Sequence, residues 1–225
     1  MQIVERVQYE TAKDYVLRLL KTNIKTLELA PGSQISENEL SAVLGISRTP
    51  IREALAELSK VRLVEVIPQK KTTVTLIDYR LVEEAWYMRY TLETALMDPV
   101  CLKRTEKDLA ALEENIVLQE LYLENGSKEK LMEKDDAFHR CFFEITGKME
   151  IYQLMQNLMI HFDRVRNMSI GTVRDLKIVK DHRAILDAIR DSDAAAAKRL
   201  LAAHLTRYRV DASAIQAKYP DYFPH

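Results

Sequence analysis

Residues 36–58, SENELSAVLGISRTPIREALAEL, hold two helical patterns separated by a turn of a few residues. Ser36 with Glu39 three positions on is a capping box, which opens a helix by giving partners to its first unpaired N–H groups. Gly45 supplies the left-handed conformation that ends one. Only about eight residues fit between these signals, so the first helix is short. A second helix opens in ISRTPIREAL, where Pro50 is tolerated because a first-turn N–H has no intrahelical partner to lose. Ile51, Leu55 and Leu58 recur at helical spacing and face inward. Short helix, tight turn, helix is the helix-turn-helix layout.

The flanks extend it. Upstream, YETAKDYVLRLLKTNI places Tyr15, Val16, Leu19, Leu20 and Ile24 on one helical stripe and stops before the turn residues Pro31-Gly32. Downstream, LVEVI and TTVTLI enclose the polar PQKK, which predicts a small β-hairpin. Three helices and a hairpin make a winged helix-turn-helix domain. Its third helix opens with Ser47, Arg48, Thr49 and Arg52, and that end is the one that enters a DNA major groove. Hydroxyls and helix N–H groups suit phosphate oxygens, and arginine forks suit guanine edges or phosphates. Lys70 and Lys71 at the hairpin tip would reach a neighbouring groove or the backbone. Spacing alone also permits an ordinary helical domain with a solvated polar face.

The remainder reads as helix, in segments of roughly 78–102, 105–125, 128–146, 149–169, 173–190 and 193–216. Short connections between them predict an antiparallel bundle. The 225 residues are comfortable for two domains, and the expected boundary near Ile77-Asp78 gives 1–77 and 78–225. With 47% hydrophobic residues, 5 glycines and 6 prolines, the composition favours a mainly α protein with a sizeable core. Net charge is -1, so no global basic signature marks nucleic-acid binding, although residues 1–77 are slightly basic and the rest acidic. Cys101 and Cys141 stand far apart without a CxxC motif, as reduced thiols of a cytoplasmic protein do. The charged N-terminus is no signal peptide, and no apolar run approaches the ~18 residues of a transmembrane helix.

The stretch DDAFHRCFF (135–143) raises a separate question. Asp135 and His139 share a helical stripe with Leu131 and Phe142, and burying an unpaired carboxylate costs several kcal/mol. His182 lines up with Ile185, Leu186 and Ile189, and His204 with Leu200 and Leu201, so both also face inward. One carboxylate and three imidazoles from three helices can converge on a single cation and neutralise Asp135. Such a set suits Zn²⁺ first, with Ni²⁺, Mn²⁺ or Fe²⁺ as alternatives. Each residue alone also reads as a hydrogen-bonded core side chain. Arg89 and Glu93 form an (i, i+4) pair on another inward stripe, either a buried salt bridge or a site where Arg89 meets an anionic ligand. Arg164 and Arg166 are further candidates for the same ligand. His161 and His225 fit neither pattern.

Two resemblances sharpen these expectations. The segment from Leu29 to Val74, with Pro31-Gly32, Ser36-Glu37, Leu44-Gly45, SRTPIREAL and Leu63-Val64, closely resembles the DNA-binding domain of the GntR family of bacterial transcription regulators. That resemblance implies DNA contacts at Arg48, Thr49 and Arg52, with Ser36 and Glu37 near the backbone. Leu27 replaces a usual glycine, and Lys70-Lys71 replaces the usual Arg-Gly of the wing. The second half, through MRYTLETALM, DDAFHRCFFEITGK and DHRAILDAIRDSDAAAAKRLLAAHL, resembles the ligand-sensing FCD domain of the FadR-type branch. Many members of that branch hold a metal with one Asp and three His, which match Asp135, His139, His182 and His204. They commonly sense small carboxylates, and dimerisation on a two-fold operator is likewise implied. The expected function is a DNA-binding regulator controlled by a small carboxylate beside a divalent metal. A metal-dependent enzyme acting on a small organic acid, and a regulator whose metal is purely structural, are the rival readings.

Overall fold

The computed structural model describes residues 1–67, 71–172, 177–206 and 208–224. The chain is mainly helical, with a winged helix-turn-helix segment followed by a helical domain. Helix α1 (Ala12–Lys25) starts where the Thr11 hydroxyl accepts a bond from the Asp14 N–H at 3.1 Å. Helix α2 (Glu37–Leu44) starts at Ser36, whose hydroxyl accepts from the Glu39 N–H at 3.3 Å, and ends at Gly45 with φ 65°. Helix α3 (Arg48–Lys60) follows with three residues between it and the end of α2. Val16, Leu19, Leu20 and Ile24 of α1 meet Ile51, Leu55 and Leu58 of α3 in one apolar core.

The expected hairpin is present as β2 (Val64–Ile67) and β3 (Lys71–Val74), paired antiparallel with Val64 opposite Val74. A third strand, β1 (Gln34–Ile35), adds to β3 and gives the order β1-β3-β2. Two residues carry too little alternation to be legible as a strand. Leu27, just past the end of α1, has φ 65°. A left-handed conformation there explains the glycine that the GntR pattern favours, since only glycine adopts it without a Cβ penalty.

The helical domain comprises α4 (Tyr79–Lys103), α5 (Glu106–Glu124), α6 (Lys128–Thr146), α7 (Met149–Thr172), α8 (Lys177–Arg190), α9 (Ala194–Thr206) and α10 (Tyr208–Lys218), then a 3₁₀ turn at Pro220–Tyr222. The segment expected at 193–216 is thus helical in α9 and α10, with residue 207 outside the described residues. Thr105 and Asp108 form a capping box at the start of α5. Gly147 ends α6 with φ 67°. Arg104 donates to the carbonyls of Ile189 and Arg190 at 2.8 and 2.7 Å, which satisfies the last turn of α8. Helix α5 packs on α6 and α8, and α8 packs on α9.

The chain packs as two compact units that do not follow the linear order. The first comprises residues 1–83, 157–167 and 213–225; the second comprises 84–156 and 168–212. In the first, the middle of α7 reaches the ends of the winged segment's elements. His161 Nε2–H donates to the Val61 carbonyl at 2.8 Å, Arg164 to Thr75 O at 2.5 Å and Asn167 to Lys25 O at 2.9 Å. Lys25 pairs with Asp163 at 3.3 Å. The Ile77 N–H donates to Tyr222 O at 2.8 Å, and Tyr79 stacks on Phe223 at 5.2 Å.

Candidate functional site

Two constellations carry chemistry. The first lies on the winged segment. Arg48, Thr49 and Arg52 are exposed on the opening turns of α3. Ser47 precedes them at the N-cap position and makes no side-chain capping bond. Ser36, Glu37, Arg48 and Arg52, with Val66 and Lys71 from the sheet, line a surface groove of about 800 Å³. The structure therefore brings Ser36, Glu37, Arg48, Arg52 and Lys71 to one groove, which Thr49 does not line. Lys70 lies outside the described residues. Glu37, expected near the DNA backbone, accepts from Arg52 Nε at 2.7 Å through its Oε2. A carboxylate repels phosphate and holds a guanidinium in one orientation, and here Glu37 is paired with Arg52.

The second constellation lies in the helical unit. Asp135 and His139 stand one turn apart on α6, His182 comes from α8 and His204 from α9. One ligating atom from each lies within 4.8 Å of all the others. Asp135, His139 and His182 are 6%, 2% and 0% exposed. His182 Nε2 is 3.2 Å from His204 Nε2 and 3.6 Å from Asp135 Oδ1. A tetrahedral zinc with Zn–N of about 2.0–2.1 Å spaces neighbouring ligand atoms by about 3.3 Å. Phe138 stacks on the His182 ring at 4.1 Å and Phe142 meets His139 edge-on, so the apolar stripe of α6 supplies the walls of the site. The leucine and phenylalanine around Asp135 thus exclude water from a polar cluster.

The decisive detail is what the other ring nitrogens do. Glu93 Oε2 lies 2.6 Å from His139 Nδ1, and Glu93 Oε1 accepts from Arg89 Nε at 2.8 Å. Glu93 is fully buried, which by itself would raise its pKa, but Arg89 and His139 outweigh this and hold the carboxyl at about 2. It is an anion that can only accept, so His139 Nδ1 carries the proton. Burial, then the Arg89 charge, pushes the His139 pKa down and keeps the ring neutral. His139 Nε2 is consequently a bare acceptor, buried and without a hydrogen-bond partner. His182 Nδ1–H donates to Gln119 Oε1 at 2.8 Å, where the Gln119 amide nitrogen is already committed to Asn115 at 2.6 Å. His204 Nδ1–H donates to Asp181 at 3.3 Å. Three Nε2 atoms and a carboxylate therefore converge, with His182 Nε2 and His204 Nε2 in hydrogen-bond contact, and a positive charge among them would be attracted to all four. The donor set fits a divalent ion such as zinc.

Of the expected ligand-binding arginines, Arg89 is 4% exposed and belongs to this unit. Arg164 and Arg166 belong to the first unit, on α7, which carries none of the four converging residues; Arg164 bonds Thr75 O, and Arg166 lies 3.6 Å from Asp163. Burial pushes the Arg164 pKa down to about 10. Sequence reasoning missed Gln119 and Asp181 and saw in Glu93 only the partner of Arg89. Gln119 was findable: it continues the stripe Leu109, Leu112, Ile116 of α5, the same polar-on-apolar anomaly that exposed Asp135. Asp181 carries no periodic signal.

Comparison with known proteins finds matches to both halves of the chain. Residues 12–74 match the family model for bacterial regulatory proteins of the gntR family, and residues 84–207 match the FCD domain. An uncharacterised HTH-type transcriptional regulator from an unstable DNA locus of Streptomyces ambofaciens is 32% identical, over 94% of this chain and 89% of its own. The HTH-type transcriptional repressor RspR of Escherichia coli is 28% identical, over 92% of each. Among solved structures, E. coli McbR/YncC superposes with a TM-score of 0.78 at 21% identity, covering 93% of this chain and 99% of that one. With its two halves matched to these two models, the chain is a member of the GntR family of bacterial transcription regulators, in the branch whose helical half is an FCD domain.

Proposed function

We propose that the operator affinity of this regulator is set by a small carboxylate that binds beside a divalent metal held by Asp135, His139, His182 and His204. The observation that carries the reading is the shared orientation of the three imidazoles: each turns its Nδ1 to a side-chain acceptor and its Nε2 toward one point. Outer acceptors of this kind orient metal-bound histidines and strengthen them as donors. The metal would supply a positive centre with an open position for a carboxylate oxygen. Of the three arginines considered, Arg89 alone belongs to the unit that holds the centre, and its guanidinium supplies the second positive group for the same anion.

At the other constellation, Arg48, Thr49 and Arg52 would enter the major groove, Ser36 and Lys71 would meet the backbone, and Glu37 would hold Arg52 in place. Two copies of the chain would place their α3 helices in successive major grooves of a two-fold operator. The carboxylate switches the protein by binding one arrangement of that dimer more tightly than another.

Elemental analysis of the purified protein, joined to a thermal-shift screen of small organic acids and an operator-binding assay, tests the reading. The expected result is one metal per chain. Acids should stabilise only the metal-loaded protein and change operator affinity by about 5–150-fold. Acids that act equally after chelation, or turnover of the acid, would overturn it.

A further inference from the structure

The three converging imidazoles are not held alike. His182 leans on a neutral amide, Gln119, and His204 on Asp181 at 3.3 Å. His139 leans on Glu93 at 2.6 Å, the shortest of the three contacts and one made by a carboxylate with no exposure to solvent. Glu93 faces donors on both oxygens, with Arg89 Nε at 2.8 Å on the other. We propose that Glu93 is the positioning residue of the metal centre: it locks the His139 tautomer that presents Nε2 inward, and it ties that ligand to Arg89. The proposal rests on the metal reading above.

The chemistry of replacement makes it specific. Glutamate offers an acceptor to each neighbour. Glutamine has one acceptor and one donor, so between Arg89 and His139 it satisfies one and opposes the other. If its oxygen stays with Arg89, its NH₂ faces His139 Nδ1 and favours the tautomer with the proton on Nε2, where the metal must bind. Removing the arginine as well frees the amide to turn its oxygen to His139. The correct tautomer returns, and only the carboxylate charge is missing. A side chain that merely fills space predicts the opposite, because the second substitution would add harm.

Zinc affinity by competition with a chromophoric chelator, and the visible spectrum of the cobalt-substituted full-length protein, separate these cases. Loss of an outer partner typically weakens metal binding by about 10–100-fold. Glu93→Gln should fall near the 100-fold end with an altered cobalt spectrum. Arg89→Met with Glu93→Gln should recover toward the tenfold end with a spectrum near that of the parent. If Glu93→Gln does not fold, the double variant still decides, since affinity weaker than about 100-fold below the parent would sink the proposal. Glu93→Gln within twofold of the parent would also overturn it. Failure of the metal reading itself looks different: the parent binds no zinc, or His182→Ala binds it as well as the parent does.

Discussion

The two constellations solve opposite problems. On the winged segment the charged groups are exposed and close in sequence, and Arg52 has 63% of its side chain open to solvent. In the helical unit the ionisable groups are largely buried and come from four helices, with Glu93 completely withdrawn from water. The exposed set can remain charged without partners, because water solvates it until DNA replaces that water. The buried set must satisfy itself, and His139 Nε2 is left buried with no hydrogen-bond partner. Unmet demand in a dry site is a stronger pointer to a ligand than charge at a surface, where solvation is the default.

The largest expected effect breaks the helical side of this contrast. His182→Ala removes one of four donors and should lower zinc affinity by more than about 100-fold, while the winged segment keeps its fold and its affinity for operator in the absence of effector. Equilibrium dialysis with metal analysis reads the first outcome and a mobility-shift titration the second. Full occupancy would remove His182 from the centre. A smaller effect is expected on the other side. Arg52→Ala should weaken specific operator binding by about 10–100-fold, as for loss of a groove-reading arginine, with zinc content unchanged. Equal weakening on unrelated DNA would mean that Arg52 touches only phosphate.

The smallest effect concerns the backbone of the reading helix. Arg62 is exposed, follows the end of α3 with φ 57°, and is clasped by the bond from Leu63 N–H to Leu58 O at 2.9 Å. A non-glycine residue there pays for a Cβ in the left-handed region. Arg62→Gly should therefore raise stability by about 0.5–1 kcal/mol, measured by urea unfolding. A loss instead would mean that the arginine side chain contributes more than its backbone costs.

The contrast also explains what could be read from the sequence. SRTPIREAL is contiguous, so local rules of capping and periodicity deliver the reading helix and its exposed residues together. The four converging residues were legible because each sits as a polar exception on an apolar stripe, and exceptions of that kind can be found helix by helix. Their outer partners were not legible as such. Glu93 seemed satisfied by Arg89 one turn away, and nothing local announces that its second oxygen serves His139, 46 positions on. Arg164 misled for a related reason. A buried arginine signals that some acceptor is near, and a sequence cannot say that the acceptor is the carbonyl of Thr75. The strand at Gln34–Ile35 was too short to leave a pattern.

One feature of the fold sets a timetable for the protein's birth. The winged segment leaves the ribosome first, but its unit takes in residues 157–167 and 213–225, including the carbonyl of Tyr222 that meets Ile77. At translation rates of about 5–20 residues per second, those partners arrive on the order of ten seconds later. Until then the carbonyls of Val61 and Thr75 must be hydrated by water, and the reading helix sits in an unfinished unit. A ribosome that stalls within the FCD helices therefore releases a reader lacking several of its closing contacts, so completion of the reader is tied to synthesis of the regulatory half.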